Sequence, residues 1–357
     1  MTFRVPHYYR DFKCTADKCS DNCCIGWEID IDDDTMEKYD SVTGEFKNKI
    51  QSGISTSGTP HFILDKHERC PFLNSKNLCE IFINLGESSL CQICTDHPRY
   101  YEWFGNIKEG GVGVCCEEAA RLILTDDKPF SYYDINVPDE DNDGCDGEFF
   151  EYLQAVRKNI ITHLNNKSLP LKNRLRDILV YADAMQKSYD NFDFTVYDIN
   201  EAANENTSAD NTKEIVSFFA DSLEFMGGGE PFKALAEDHT AVKTGSEHFL
   251  REYPQVYGYL ENLAVYFIWR HFLKGVFEEE FYSKAAFAFI STVMCGLLFI
   301  RHFCADSAFD EGSAVRMTVL YSKQVEYSEE NLDRLYDAFY DNAYFSLENM
   351  LNLLEIL

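Results

Sequence analysis

The chain is short of positive charge. Its 357 residues carry 32 Lys and Arg against 61 Asp and Glu, a formal net charge of -29 at pH 7. Such a surface repels nucleic-acid phosphates and anionic lipid headgroups, so neither nucleic acid nor membrane is expected as a partner. It attracts basic partners, lysine-bearing protein surfaces among them, besides favouring solubility. A membrane-length apolar run is missing too. The longest, Ala285 to Ile300, lies between Lys284 and Arg301 and falls short of the roughly 20 residues a membrane helix needs. A buried core helix is expected there. The opening residues, MTFRVPHYYRDFKC, lack the apolar segment of a secretion signal, so a cytoplasmic protein is expected. No internal repeat is visible. There is also no glycine-rich loop between a strand and a helix. Gly227-Gly228-Gly229 follows a helical pattern and precedes Glu230-Pro231, which suits a helix stop, so a Rossmann-type nucleotide domain is not expected.

Cysteine, in contrast, is abundant. There are 13, and ten of them fall between Cys14 and Cys116. In a reducing compartment such thiols are free to bind metal rather than to form a disulfide framework. They come as Cys14-x4-Cys19-x3-Cys23-Cys24, Cys70-x8-Cys79, Cys91-x2-Cys94 and Cys115-Cys116. Thiolates are the soft ligands that zinc and iron–sulfur clusters select. Adjacent cysteines diverge and rarely serve one metal atom, so the number suggests one cluster plus a structural site, or one cluster with spare buried thiols. Only Cys91-x2-Cys94 has the pair spacing typical of zinc. The CxxxCxxC pattern of radical enzymes is absent, because Cys19-x3-Cys23 runs into Cys24, Ile25 and Gly26. Cys145, Cys295 and Cys304 are expected to be small buried hydrophobes.

The pattern divides the chain. Residues 1–136 are expected to be a loop-rich cysteine-cluster region, with helical periodicity only over 34–49 and 115–124 and a short strand running into a turn at HFILDKHERCPFL. An acidic connector, VPDEDNDGCDGE, follows. Residues 148–357 are expected to form a multi-helix domain of about eight helices. The spacing predicts these over 149–164, 170–189, 212–226, 256–277, 280–304, 312–323, 329–342 and 346–357, with a polar loop at 190–211. The fold class expected is mainly α, the cysteine region packed on the helices to complete a cleft.

Several motifs together resemble a known family. YYRDFKCTADKCSDNCCIGWEIDID, with Cys14, Cys19, Cys23, Cys24, Gly26, Trp27 and Asp32, resembles the N-terminal signature of the flagellin lysine N-methylases. So do Cys70-Pro71, Leu78-Cys79, Cys94 followed by His97-Pro98-Arg99, and Cys115 with Glu117 in VCCEEAARLIL. Cys91 and Cys116 are extra to that pattern. Downstream, REYPQVYGYLENLAVYFIWRHF resembles a second family motif through Tyr253, Pro254, Glu261, Asn262 and Tyr266. The resemblance implies methyl transfer from S-adenosylmethionine to lysine side chains of flagellin. It also implies a [4Fe-4S] cluster, with zinc as the alternative metal. The metal ligands would be Cys14, Cys19, Cys23, Cys24, Cys70, Cys79, Cys94 and Cys115. Glu261, Asn262 and Tyr266 would be catalytic, and Trp27, Arg99 and Glu117 would bind cofactor.

Two of these residues draw notice without the resemblance. Glu261 and Asn262 interrupt an apolar helical pattern, and a buried Glu needs a partner. A structural network accounts for them as well as catalysis does. Arg99 suits the carboxylates of a cofactor, or Asp96 or Glu117. A non-enzymatic metal module and an iron–sulfur redox enzyme remain as alternatives to the methyltransferase.

Overall fold

Helices dominate because apolar residues recur at three and four positions through most of the chain. In the computed structural model the described residues are 1–357 apart from 21–22, 27–28, 143, 146, 200–210 and 226–228. Trp27 and most of the Gly227-Gly228-Gly229 run therefore lie outside the described residues. In chain order the first elements are β1 (Thr2–Pro6), α1 (Asp33–Ser41), α2 (Glu45–Gly53), β2 (Ile54–Ser55), β3 (His61–Phe62), α3 (Glu80–Leu85) and α4 (Gln92–Asp96). Next come β4 (Arg99–Phe104), β5 (Ile107–Val112), α5 (Glu117–Leu124), β6 (Tyr132–Asn136), α6 (Gly147–Leu164), α7 (Leu171–Asp190) and α8 (Thr212–Ser222). The chain continues through α9 (Glu230–Glu237), α10 (His239–Glu252), α11 (Val256–His271), α12 (Tyr282–Asp306), α13 (Glu311–Tyr321), α14 (Glu329–Asp341) and α15 (Leu347–Asn352). The fold is mainly α.

The first third is more ordered than loops around metal. Four strands form a sheet in the order β4-β5-β1-β6, with β1 parallel to β5 and the other pairs antiparallel. The parallel pair needs a crossover, and that crossover is the whole cysteine-rich excursion between β1 and β4. The inner face of the sheet packs on the helices. Phe104 stacks on Phe150 and Phe277 at 5.0 and 5.6 Å, and Glu109 meets Arg157 through paired hydrogen bonds of 2.6 and 2.7 Å. Accordingly the main core takes Tyr8, Phe12, Phe104, Val112 and Val114 from the first third together with the helices. A second, smaller core lies within the excursion, around Ile29, Ile31, Tyr39, Ile50, Phe62, Phe72 and Ile81.

The body holds ten helices, α6–α15, among the described residues rather than about eight. The additions are α9 and α10, and the segment expected as one helix over 346–357 ends in a tighter turn. α12 is long and apolar enough to cross a membrane, yet its apolar window lies wholly inside the body. After α13 the chain takes one turn of π-type helix, Ser322–Glu326. Such turns put residues off the 3.6 period and often mark functional sites.

Candidate functional site

Three loops bring the thiols of the excursion together. The Cys23-Cys24 turn pairs with the strand-like stretch before Cys70, since the Cys70 amide donates to the Cys24 carbonyl at 2.8 Å and Ile25 bridges Arg69. Cys70 and Cys79 flank a tight loop. Asn74 closes it, its side-chain oxygen accepting from the amides of Lys76 (2.8 Å) and Leu78 (3.1 Å). Cys91 precedes α4, and its sulfur lies 3.2 Å from that of Cys94.

These thiols perturb one another. Burial, with Cys79, Cys91 and Cys23 nearby, pushes Cys70 up to about 12, which the Phe72 amide only partly offsets. The hydrogen bond between Cys91 and Cys94 favours one thiolate at Cys91, and it opposes ionisation of Cys94, which also senses Cys24 and Cys70. Cys23, Cys24, Cys70, Cys79, Cys91 and Cys94 thus form one group. A second group lies at the start of α5. Burial raises Cys116 to about 11, with Cys23 and Cys14 adding to the effect and the Ala119 and Glu118 amides opposing it. Cys19 donates to Glu117 at 3.4 Å. Cys115 adjoins the second group through Cys116, but it is buried and turned toward Tyr327 and Arg270.

Among the described residues no three His, Cys, Asp or Glu side chains already stand at metal-ligand spacing. The donor chemistry of the first group nevertheless fits a soft metal. Its thiols are held on three loops, and thiolates are the ligands that such a metal selects. Cys91 and Cys116, set aside on sequence as extra, sit inside the two groups. Spacing picks out Cys91 through its pairing with Cys94, whereas Cys116 meets Cys23 and Cys14 from a distant loop.

Asp32, one of the quoted motif residues, holds this arrangement from outside. Its carboxylate accepts from the Thr35 amide at 2.9 Å and the Thr35 hydroxyl at 3.0 Å, capping α1. It also accepts from the Gln92 amide at 2.8 Å, where α4 begins. Burial works against its charge, but these donors outweigh it and keep the carboxyl below its ordinary range. Asp32→Ala is expected to cost about 1–2 kcal/mol, the worth of a lost cap, and to speed thiol labelling at Cys91 and Cys94. Urea unfolding and labelling kinetics check both.

A cleft of about 670 Å³ opens beside α4. Asp30, Asp32, Asp33 and Asp96 line it with His97 and Arg99, and Ile31, Ile93, Pro60 and Tyr327 supply its apolar wall. Arg99 also covers the rings of Phe12 and Tyr9, at 5.3 and 6.0 Å. Tyr327 ties the cleft to a buried network. Its ring carries the Arg270 guanidinium at 4.6 Å. Arg270 donates to the Tyr266 hydroxyl at 2.7 Å, and Tyr266 donates to Glu326 at 2.9 Å. His271 bonds Glu326 at 2.9 Å, and Ser322 donates to it at 2.5 Å. Burial alone would raise the Glu326 carboxyl, yet Arg270 and the bond from His271 hold it down at about 2. Burial pushes His271 down to about 4 in spite of that bond. Neutral His271 then donates through Nε2 and accepts from the Tyr336 hydroxyl at Nδ1, 3.2 Å away. A Cβ at Gly113 would collide with the Tyr327 hydroxyl, so glycine is needed for this approach.

The three catalytic candidates reach different places. Glu261 is buried and pairs with Arg174 at 2.7 Å and Lys167 at 3.3 Å. Asn262 donates to the Leu124 and Asp126 carbonyls at 3.1 and 2.8 Å, tying α11 to the end of α5. Tyr266 belongs to the Glu326 network behind the cleft. Glu117 accepts from the Ser20 amide at 2.7 Å and hydroxyl at 2.8 Å, beside a recess of about 270 Å³ that also holds Lys18, Arg121 and Arg316. Glu326, His271 and Tyr327 were not singled out on sequence. The π-type turn that aims Glu326 inward leaves no periodic trace.

Comparison with known proteins adds an independent line. A family profile described as the FliB lysine N-methylase C-terminal domain matches residues 157–353, more than half of the chain. A lysine-N-methylase of Salmonella choleraesuis is 28% identical over 140 residues, which is 35% of this chain and 33% of that protein. The lysine-N-methylase of Salmonella typhimurium matches to the same extent. The flagellar biosynthetic protein FliU of Salmonella muenchen is 28% identical over 133 residues, 79% of its length. The match thus spans a third of either lysine-N-methylase. No solved structure matches the chain.

Proposed function

Since the chain belongs to the FliB lysine N-methylase family, we propose that it methylates lysine side chains of a protein substrate, flagellin being the first candidate, with S-adenosylmethionine as donor. The observation that carries this reading is the cleft, with four aspartates on its walls and an apolar side formed by Ile31, Ile93, Pro60 and Tyr327. Both reactants are cations, an ammonium and a sulfonium, and carboxylates concentrate cations at a cleft mouth. Its volume suits a small-molecule site. The ammonium must first lose a proton to water, because only the free amine has a lone pair. Apolar surface favours that loss by disfavouring the charge. The nitrogen then bonds the methyl carbon as the carbon–sulfur bond breaks, and the sulfonium becomes a neutral thioether.

Zinc or a [4Fe-4S] cluster would be held by the thiols of Cys23, Cys24, Cys70, Cys79, Cys91 and Cys94, and when bound would cross-link the three loops. Metal ligation and folding are coupled in such modules. This chain's own residues fix the cleft wall through the same link, since Gln92 and Ile93 follow Cys91 directly.

The test uses protein purified without air, S-adenosylmethionine with a labelled methyl group, and flagellin. Mass spectrometry should find label on flagellin lysines, and calorimetry should detect donor binding. Asp96→Asn should raise KM for flagellin about tenfold with little change in kcat, as expected for lost charge steering. Folded, metal-loaded protein that neither binds the donor nor labels any lysine would remove the reading.

A further inference from the structure

The outer face of the sheet carries an arrangement that methyl transfer in the cleft does not use. Lys108 on β5 stands in register with Trp103 on β4 and with Phe3 on β1. Its Nζ lies 4.6 Å from the centre of the Trp103 ring, 4.7 Å from Tyr101 and 5.9 Å from Phe3. Nζ donates to both carboxylate oxygens of Glu140 at 2.9 Å, and Trp103 Nε1 donates to the same group at 2.8 Å. Three aromatic rings and one carboxylate around a single ammonium make an aromatic cage, the surrounding that suits quaternary and methylated ammonium groups. Gly110 helps to close it, because a Cβ there would stand 2.8 Å from the Phe3 ring. The cage is separate from the packed face of the sheet, where Glu109 is bound by Arg157. Glu140 comes from the connector after β6 and is 43% exposed, so the acidic wall faces solvent on one side.

We infer that Phe3, Tyr101, Trp103 and Glu140 form a binding site for a methylated lysine side chain, with Lys108 as the chain's own stand-in. An unmethylated ammonium is strongly hydrated, and its hydrogen bonds to Glu140 account for much of its hold. Each added methyl removes one N–H and spreads the charge over apolar surface. Balance then shifts from the carboxylate to the rings. Lys108 is attached to β5 and competes with any incoming lysine, so an outside ligand sees only the fraction of molecules whose cage is vacant. The site thereby favours ligands that gain more from the rings than Lys108 does. Nothing here depends on the cleft being catalytic.

The experiment uses the full chain and a short peptide bearing trimethyl-lysine, with the unmodified peptide alongside, read by calorimetry. Lys108→Ala should bind the trimethyl peptide about tenfold more tightly than wild type, as expected when the competing tenant is removed. It should prefer that peptide to the unmodified one, and adding Trp103→Ala should abolish binding. Should Trp103→Ala melt early, Tyr101→Leu keeps the bulk of the side chain without the ring and takes its place. Three results overturn the inference: no saturable binding to Lys108→Ala, binding that survives loss of the ring, or preference for the unmodified peptide.

Discussion

Glu326→Ala is expected to cost about 3–5 kcal/mol of folding stability, the range found when one partner of a buried ion pair is removed. The carboxylate is fully buried and the Arg270 side chain is only 11% exposed. Without Glu326, the guanidinium keeps its charge and loses its counterion. The Tyr266 and Ser322 hydroxyls and His271 lose an acceptor as well. Removing both charges is less harmful than removing one, so Glu326→Leu combined with Arg270→Met should regain a large part of the loss. Urea unfolding of Glu326→Ala and of the double variant measures this. A single variant within about 1 kcal/mol of wild type, the scale of an ordinary surface change, would show that the network carries little.

Acidification should destabilise the protein in two steps with different owners. His271 has an ordinary value of 6.5 and is held at about 4 in the folded chain. Between those values the unfolded chain binds a proton that the folded chain refuses. Stability therefore falls as pH drops from about 6.5 to 4, by about 3 kcal/mol in all. Glu326 has an ordinary value of 4.5 and is held at about 2. Its contribution is complete above 4.5 and is lost as pH falls toward 2, again by about 3 kcal/mol. Denaturant midpoints taken across this range should slope in both windows. His271→Gln should flatten the upper window and narrow the lower one, because His271 is among the groups that hold Glu326 down. A His271→Gln profile parallel to wild type between pH 6.5 and 4 would assign the upper step elsewhere.

Sequence periodicity was sufficient for most of the body. Phe149, Leu153, Val156, Ile160, Ile161 and Leu164 all lie in α6, and all are buried. It failed where the elements owe their stability to distant partners. β5 reads Ile-Lys-Glu-Gly-Gly-Val, with no apolar alternation. Its Glu109 is buried only because Arg157, 48 residues away, meets it. Helix α10 was missed because HTAVKTGSEHFLRE mixes Thr, Gly and His into its apolar stripe.

The same contrast holds at the site. The convergence of Cys24, Cys70, Cys79 and Cys94 was legible as cysteine density. The place of Cys116 was not, since it depends on how the start of α5 meets the loops that carry Cys14 and Cys23. Glu261 drew attention as a charge within an apolar helix, and its burial and its partner Arg174 bear out that expectation. The acidic cleft was hidden because Asp30, Asp33 and Asp96 are unremarkable in a chain with 61 acidic residues. Only their placement on one wall distinguishes them.

The burial of α12 on every side has a consequence for how the protein comes apart. Its residues from Ser283 through Ile300 are all shielded from solvent. This stretch cannot detach by itself, because each of its faces is another element's packing surface, and only the last turns, beyond Ile300, are free to fray. Water reaches its amides only when the surrounding layers separate together, so hydrogen exchange there reports the free energy of the whole transition and not of a local opening.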